Sequence, residues 1–457
     1  MVTSPARVVL AAPGSGQGKT TAATGLLGAL RRRGDRVAPF KVGPDYIDPG
    51  YHRLAADRIA RNLDPVLVGP DRVAPLFHHG AAEADLSVVE GVMGLFDGRI
   101  GGGEEIALGS TAHVAQLLDA PVVLVVDAKG QSHSLAALLH GFRAYRPQIR
   151  LAGVLLNRVG SDRHEQVLRA AADDVGLPVL GAIPRTADLE VPSRHLGLVT
   201  AVEHGAEAVR AVESMTDVVE SSVDLNALAG LARTAGQLPG PAWDPAEEVE
   251  PQAEAARAPV VAVAGGPAFS FGYAEHAELL EAAGARVALV DPLRDERLPE
   301  GTSGLVLPGG FPEQHAEPLS ANTALRREIK TFAETGAPVH AECGGLLYLG
   351  RELDDHPMCG VLPARASMAP RLKLGYRDAV AAGESPLFAE GTRVSGHEFH
   401  RTATEPAHGD VPAWFWRDAH GVHREGFLHG GVHASYLHTH PAGNPAAVAR
   451  FVARCLR

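Results

Sequence analysis

The stretch from Arg7 to Gly34 constrains the fold more tightly than any other part of the chain. Arg7-Val-Val-Leu-Ala-Ala is a short apolar strand that runs straight into Pro13-Gly-Ser-Gly-Gln-Gly-Lys19-Thr20-Thr21. Ala22 to Arg33 then reads as a helix that stops at Gly34. Strand, glycine loop, Lys-Thr and helix is the context of a phosphate-binding loop, in which backbone N–H groups and a helix N-terminus face an anion. Gly14, Gly16 and Gly18 let those N–H groups turn toward the anion, and Lys19 adds positive charge near the terminal phosphates. Thr20 is placed to coordinate magnesium, and Thr21 completes the nucleotide-binding stretch. The strict pattern has glycine where this chain has Pro13, so the loop is a variant. The expectation is a nucleoside triphosphate site at the edge of a parallel sheet.

The rest of the amino-terminal half keeps the same rhythm. Val37-Ala-Pro-Phe-Lys41, Asp85-Leu-Ser-Val-Val-Glu90, Pro121-Val-Val-Leu-Val-Val-Asp127, Leu151-Ala-Gly-Val-Leu-Leu-Asn157-Arg158 and Pro178–Arg185 are apolar runs of strand length separated by helical stretches. Continuous apolar strands mean a parallel sheet covered on both faces. Such sheets gather their chemistry in the loops that leave the carboxyl ends of strands. Asp45 and Asp48 sit in one of these, Val42-Gly-Pro-Asp-Tyr-Ile-Asp-Pro, as candidates for magnesium binding or for stabilising a phosphorylated intermediate. The same aspartates also suit a plain turn. Glu90 ends its strand where an acid commonly reaches the metal, and Asp97 follows it in Gly-Val-Met-Gly-Leu-Phe-Asp. Asn157 ends its strand where it can hydrogen-bond a purine edge. Arg194 and His195, in Pro192-Ser-Arg-His-Leu-Gly-Leu, can meet carboxylates or phosphates, or simply face solvent.

Character changes between Asp217 and Ala256. Gly236-Gln-Leu-Pro-Gly-Pro-Ala-Trp-Asp-Pro and the acidic Glu247-Glu-Val-Glu read as a linker. This divides the chain into a domain over 1–235, a linker over 236–258 and a second domain over 259–457. In the second domain, the strand Gly304-Leu-Val-Leu-Pro308 leads into Gly309-Gly310, whose N–H groups can serve an oxyanion. Pro338-Val-His-Ala-Glu-Cys343-Gly344-Gly345 reads as a strand, a sharp turn and the start of an apolar helix. Such a turn lifts a side chain clear of the backbone, and the helix N-terminus favours negative charge there. Cys343 is thus expected to be a nucleophile with thiolate character, with Gly344 beside its oxyanion. In Ser435-Tyr-Leu-His438 a short Tyr-Leu strand is expected to deliver His438 as its base.

Composition sets the outer bounds. The 457 residues are too many for one ordinary core, and the formal charge of −12 argues against non-specific nucleic-acid binding. The three cysteines are too few for a disulfide framework, so a reducing compartment fits. No apolar run reaches the length of a membrane span, and no Cys/His set has zinc-like spacing. A cytoplasmic protein without nucleic-acid or membrane partners is expected.

With these residues in view, the chain resembles the cobyrinate a,c-diamide synthase family over essentially its whole length. Its amino-terminal half is similar to dethiobiotin-synthetase-type ATPases, through the variant loop, Lys41-Val-Gly-Pro-Asp45-Tyr-Ile-Asp48-Pro, Glu90-Gly-Val-Met-Gly-Leu-Phe-Asp97-Gly and Ser193-Arg-His-Leu-Gly-Leu. Its carboxyl-terminal half resembles class I glutamine amidotransferases of the corrinoid type, through Pro308-Gly-Gly-Phe-Pro-Glu, Ala341-Glu-Cys343-Gly-Gly-Leu, Gly396-His-Glu-Phe-His400 and Ser435-Tyr-Leu-His438.

The resemblance implies two doubly wound α/β domains, a P-loop-type ATPase and a flavodoxin-like amidotransferase. It implies ATP- and glutamine-dependent amidation of corrin a and c acetate side chains, with Mg²⁺ as cofactor. Cobalt-containing and metal-free rings are left undistinguished. It also implies acyl phosphate intermediates, internally passed ammonia and a plausible homodimer. The wider class carries a glutamate two residues after the catalytic histidine, where this chain has His440, so the partner that orients His438 is left unnamed. Cobyric acid synthase, which amidates other side chains of the same ring, is the nearest alternative. An ATP-switched binding protein with an inactive amidotransferase domain is the alternative of a different class.

Overall fold

The computed structural model describes residues 4–101, 105–185, 193–194, 197–198, 200–252 and 257–457. It divides into two compact units, Met1–Trp243 and Asp244–Arg457.

The first unit is built on a seven-stranded sheet. In chain order its strands are β1 (Arg7–Ala11), β2 (Val37–Val42), β3 (Arg61–Leu63), β4 (Leu86–Glu90), β5 (Val122–Asp127), β6 (Leu151–Val159) and β7 (Val179–Pro184). They lie in the order β3-β2-β4-β1-β5-β6-β7, and every pairing is parallel. Val8, Val9, Leu10 and Val122 to Val125 are fully enclosed, each contributing about 1.5–3 kcal/mol of apolar burial. Helices cover the sheet, the first being α1 (Lys19–Arg32). It packs tightly on the helix Ala206–Ser222. A Cβ on Gly28 would lie 2.1 Å from Thr216 Oγ1, and one on Gly25 would lie 2.4 Å from Val219 Cγ2. The two glycines, three positions apart on one helix face, set how closely these helices approach.

Only β3 was without a sequence signal in this sheet, because three residues are too few to show a period. The short strands β8 (Ser193–Arg194) and β9 (Gly197–Leu198) pair antiparallel beyond it. Part of the segment expected as linker belongs to this unit: Gly236 N–H donates to Asp119 O, and Trp243 N–H to Pro75 O.

The second unit holds two sheets. One contains β10 (Val260–Ala264), β11 (Arg286–Val290), β12 (Thr302–Leu307) and β13 (Val339–Glu342). The other is led by β14 (Glu352–Leu353), β15 (His356–Pro357), β16 (Arg365–Ala381), β17 (Arg393–Glu405), β18 (Trp414–Asp418) and β19 (Gly421–Glu425). Strands β20 (Phe427–His429) and β21 (Val432–Ser435) return to the first sheet, in the order β11-β10-β12-β13-β21-β20, and β22 (His438–Thr439) joins the second beside β17. The first sheet is parallel except at its β20–β21 edge.

The second sheet lies outside the expected flavodoxin-like pattern, and it changes how His438 is delivered. Tyr436 and Leu437 are not a strand. They form the crossing between sheets, from β21 to β22.

Candidate active sites

In the first unit the phosphate-binding loop closes around left-handed glycines, Gly16 at φ 77° and Gly18 at φ 90°. Gly18 is doubly required, since a Cβ there would also lie 2.1 Å from Asn157 Nδ2. Asn157 braces the loop by donating to Gln17 O at 2.9 Å, and its Oδ1 accepts the Arg158 N–H. Its place at the end of β6 is the one expected, and its amide is engaged with backbone. Lys19 Nζ donates to Met93 O at 2.6 Å and to Gly14 O at 3.2 Å. Burial, reinforced by the nearby charge of Lys41, lowers its pKa to about 8. Thr21 is half-buried in the first turn of α1.

Thr20 in the first turn of α1, Asp48 at the start of the helix Asp48–Ala56 and Glu90 at the end of β4 meet. Thr20 Oγ1 lies 2.8 Å from Glu90 Oε1 and 3.2 Å from Asp48 Oδ2. At the centre is a residue that sequence reasoning did not select, Lys41. Its Nζ lies 2.7 Å from Asp48 Oδ2, 2.9 Å from Glu90 Oε1 and 3.8 Å from Asp45 Oδ2. Burial disfavours its charge, yet Asp48, Glu90 and Asp45 more than offset this and hold its pKa above the ordinary value. Burial would likewise raise Glu90, but Lys41 and His52 keep it ionised. Asp48 goes the other way: burial and the Asp45 carboxylate, opposed by Lys41, push it up to about 7. His52, fully buried on the helix Asp48–Ala56, places Nε2 2.7 Å from Glu90 Oε2. It too had escaped selection, because a single histidine carries no motif.

Asp45 shapes the loop. Its Oδ1 accepts the N–H groups of Ile47 and Asp48 at 2.8 and 3.0 Å. Asn62, delivered by β3, donates to Gly43 O and Asp45 O. Asp97 is exposed, accepts Gly94 N–H at 3.0 Å, and its charge acts on Lys19 of the phosphate-binding loop. Arg194 lies in β8, and His195 falls outside the described residues.

In the second unit Cys343 sits between β13 and the helix Gly344–Leu349, with φ 47° and ψ −100°. That sparsely populated backbone is held by Cys343 N–H donating to Ser435 O at 2.7 Å. Gly309, Gly310 and Gly344 converge on it: a Cβ on Gly344 would lie 2.9 Å from Gly310 N, and one on Gly309 would lie 2.5 Å from His438 Cε1. Burial and the Glu313 carboxylate raise the Cys343 pKa well above that of a free thiol, outweighing the Gly344 N–H.

His438 is fully buried, and its Nδ1 lies 3.5 Å from Glu342 Oε2. A carboxylate thus reaches His438 from the residue just before Cys343. Glu342 stays ionised against its burial through His340 and His438. Its Oε1 accepts both the N–H and the Oγ1 hydroxyl of Thr439, at 3.0 and 3.1 Å. Next to His438 in register stands His397, at the start of His-Glu-Phe-His, and burial together with His438 lowers its pKa to about 3. The crossing that presents His438 is fixed by Glu425, which accepts Ser435 Oγ–H at 2.6 Å and Tyr436 N–H at 2.8 Å.

Comparison with known proteins agrees with this division of labour. The family described as CobQ/CobB/MinD/ParA nucleotide binding domain matches residues 8–199, and the CobB/CobQ-like glutamine amidotransferase domain matches residues 260–446. A Mycobacterium tuberculosis protein named hydrogenobyrinate a,c-diamide synthase is 62% identical, covering 98% of this chain and 97% of its own. A Streptomyces coelicolor protein of the same name is 56% identical, with the same coverage of each chain. A Synechococcus protein named cobyrinate a,c-diamide synthase is 39% identical over 98% of both. With full-length relatives far above the level at which families diverge, the chain belongs to the hydrogenobyrinate and cobyrinate a,c-diamide synthase family.

Proposed function

We propose that the chain is a glutamine-hydrolysing amide synthase that amidates the a and c acetate carboxylates of hydrogenobyrinate in cobalamin biosynthesis. The relatives named for the metal-free ring are 62%, 56% and 51% identical. Those named for cobyrinate are 39–42% identical. That difference supports the metal-free substrate. The free thiols of Cys343, Cys359 and Cys455 support a reducing, cytoplasmic setting.

A carboxylate resists ammonia because it is anionic and its leaving group would be oxide. ATP removes both obstacles by converting the carboxylate to an acyl phosphate. The loop N–H groups and Lys19 hold the triphosphate, while Lys41 and Asp48 orient the transferring phosphoryl group and the ring carboxylate. The oxygen set of Thr20, Glu90 and Asp48 suits Mg²⁺, which would neutralise phosphate charge there; Asp45 shapes the loop that presents it.

In the second unit, His438 takes the thiol proton as Cys343 attacks the glutamine amide, and returns it to the departing amine. Glu342 orients His438 in the role of third member. Water then hydrolyses the glutamyl thioester, with the N–H groups of Gly310 and Gly344 facing the oxyanion. Ammonia reaches the acyl phosphate without entering bulk water, which would protonate it to inert ammonium. The observation that supports this reading best is the strained Cys343 turn set beside Gly309, Gly310 and His438.

The test is to count amides by mass spectrometry after incubating the protein with ATP, Mg²⁺, glutamine and either ring acid. Two amides on hydrogenobyrinate, with kcat/KM at least about 10-fold above that for cobyrinate, are expected; a tenfold preference is only ~1.4 kcal/mol. Preference for the cobalt ring would overturn the substrate assignment.

A further inference from the structure

One motif of the second unit has no part in the chemistry above, Gly396-His-Glu-Phe-His400 in β17. Its residues nonetheless meet the short crossing Tyr436-Leu437-His438. A Cβ on Gly396 would lie 2.5 Å from Leu437 Cγ, so glycine is what admits that side chain. His397 stands opposite His438 in register. Side chains alternate along a strand, which turns Gly396, Glu398 and His400 to the other face. There the His400 ring stacks on the Tyr436 ring, with centroids 3.7 Å apart and planes 9° from parallel.

The His400 ring is itself fixed on two sides. Its Nδ1–H donates to Thr402 O at 2.8 Å, and its Nε2 lies 3.6 Å from Glu398 Oε1. Glu398 Oε2 in turn accepts a 2.7 Å hydrogen bond from Arg377 Nε on β16. Burial would raise the Glu398 pKa, but His400 and Arg377 hold it below the ordinary carboxylate value. Glu398 and His400 are each 2% exposed and Tyr436 is 3% exposed, so water cannot replace these contacts.

Tyr436 and Leu437 belong to neither sheet, so no strand ladder holds them in place. Glu425 fixes one edge of the crossing, through Ser435 Oγ–H and Tyr436 N–H. The Tyr436 ring is the handle that remains. This segment governs both reacting groups: Ser435 O accepts the N–H of the strained Cys343 at 2.7 Å, and His438 follows three residues later. A misplacement of about 1 Å between reacting groups costs on the order of 100-fold in rate. We propose that His400, backed by Glu398 and Arg377, is a positioning residue for glutamine hydrolysis. Its stack on Tyr436 fixes the crossing that aligns His438 with Cys343.

This inference rests on the Cys343–His438 reading, and the two are tested separately. Full-length wild type, His400→Ala, His400→Phe and Cys343→Ala are compared with ATP, Mg²⁺ and hydrogenobyrinate, using either glutamine or ammonium chloride. In His400→Ala, glutamine-dependent kcat is expected to fall about 10- to 100-fold, as for misaligned reacting groups. KM for glutamine should stay within about twofold, because the alignment acts after substrate binds. Ammonia-dependent amidation should be unchanged. His400→Phe keeps a ring against Tyr436 and should restore kcat to within about threefold of wild type. That rescue separates the stack from a general loss of packing, and it stands even if His400→Ala fails to fold. An unchanged kcat in His400→Ala, a loss carried wholly by KM, or a His400→Phe protein no faster than His400→Ala would overturn the proposal. Retained glutaminase activity in Cys343→Ala would instead overturn the reading beneath it.

Discussion

Lys41 Nζ lies 2.9 Å from Glu90 Oε1, and both side chains are withdrawn almost completely from solvent. The lysine is the counter-ion that lets Glu90 stay charged inside the first unit while also binding Asp48. Removing it leaves buried carboxylates uncompensated. Lys41→Met is therefore expected to destabilise the first unit by about 3 kcal/mol, toward the lower end for a broken buried ion pair. It should abolish amidation with ammonia as well as with glutamine. Denaturant unfolding checks the first expectation, and adding Asp48→Asn to the variant should recover part of the stability. A Lys41→Met protein as stable as wild type would mean that the cluster is more hydrated than its burial indicates.

Gly18→Ala tests the loop. Its Cβ would meet Asn157 Nδ2 at 2.1 Å on a backbone with φ 90°, so both space and conformation oppose it. A left-handed non-glycine residue alone costs of order 1–3 kcal/mol. ATP affinity, measured by calorimetry, should drop by at least about 10-fold, whereas glutamine hydrolysis in the second unit should continue. If ATP binds normally, Asn157 can swing away and its bracing role is minor.

The parts legible in the sequence were those with a long period or a compact motif. The strands β1, β2 and β4 to β7 showed themselves as unbroken apolar runs. The phosphate loop was visible because its glycines take left-handed conformations, and the Cys343 turn because Gly344 and Gly345 stand where a Cβ would strike neighbouring backbone. Lys41 was hidden inside a strand-like run, where a lysine reads as an edge or snorkelling residue. Glu342 was hidden beside the nucleophile, since its function depends on β22 arriving from another sheet. That sheet was missed because its long hairpin, β16 and β17, mixes exposed and buried positions irregularly around a register shift between Met368 and Lys373. Such pairing is set by tertiary contact rather than local pattern. The burial that raises the Cys343 pKa was hidden for a related reason: helix N-terminal stabilisation is local, whereas desolvation depends on everything packed around the thiol.

Glu425 gives the second unit a pH signature. Burial raises its pKa to about 8, against the hydrogen bonds from Ser435 and Tyr436. A carboxyl group whose folded pKa lies above its unfolded value holds its proton more tightly when folded, so its contribution to stability is greatest below about pH 4.3 and falls as pH rises toward 8. Glu425→Gln keeps an acceptor for the Tyr436 N–H and removes the titration. Thermal unfolding from pH 5 to pH 8 should show a smaller decline for the variant than for wild type. Parallel curves would show that Glu425 is ionised in the fold throughout.

The most direct test of the account is the Cys343→Ala protein assayed for ring amidation with glutamine and, separately, with excess ammonium chloride above neutral pH. Loss of glutamine-supported amidation to background, with ammonia-supported amidation within about twofold of wild type, is the predicted result, as expected when only the group that splits glutamine is removed. Glutamine-supported amidation that survives the substitution would contradict the assignment of Cys343 as nucleophile, and with it the division of the chemistry between the two units.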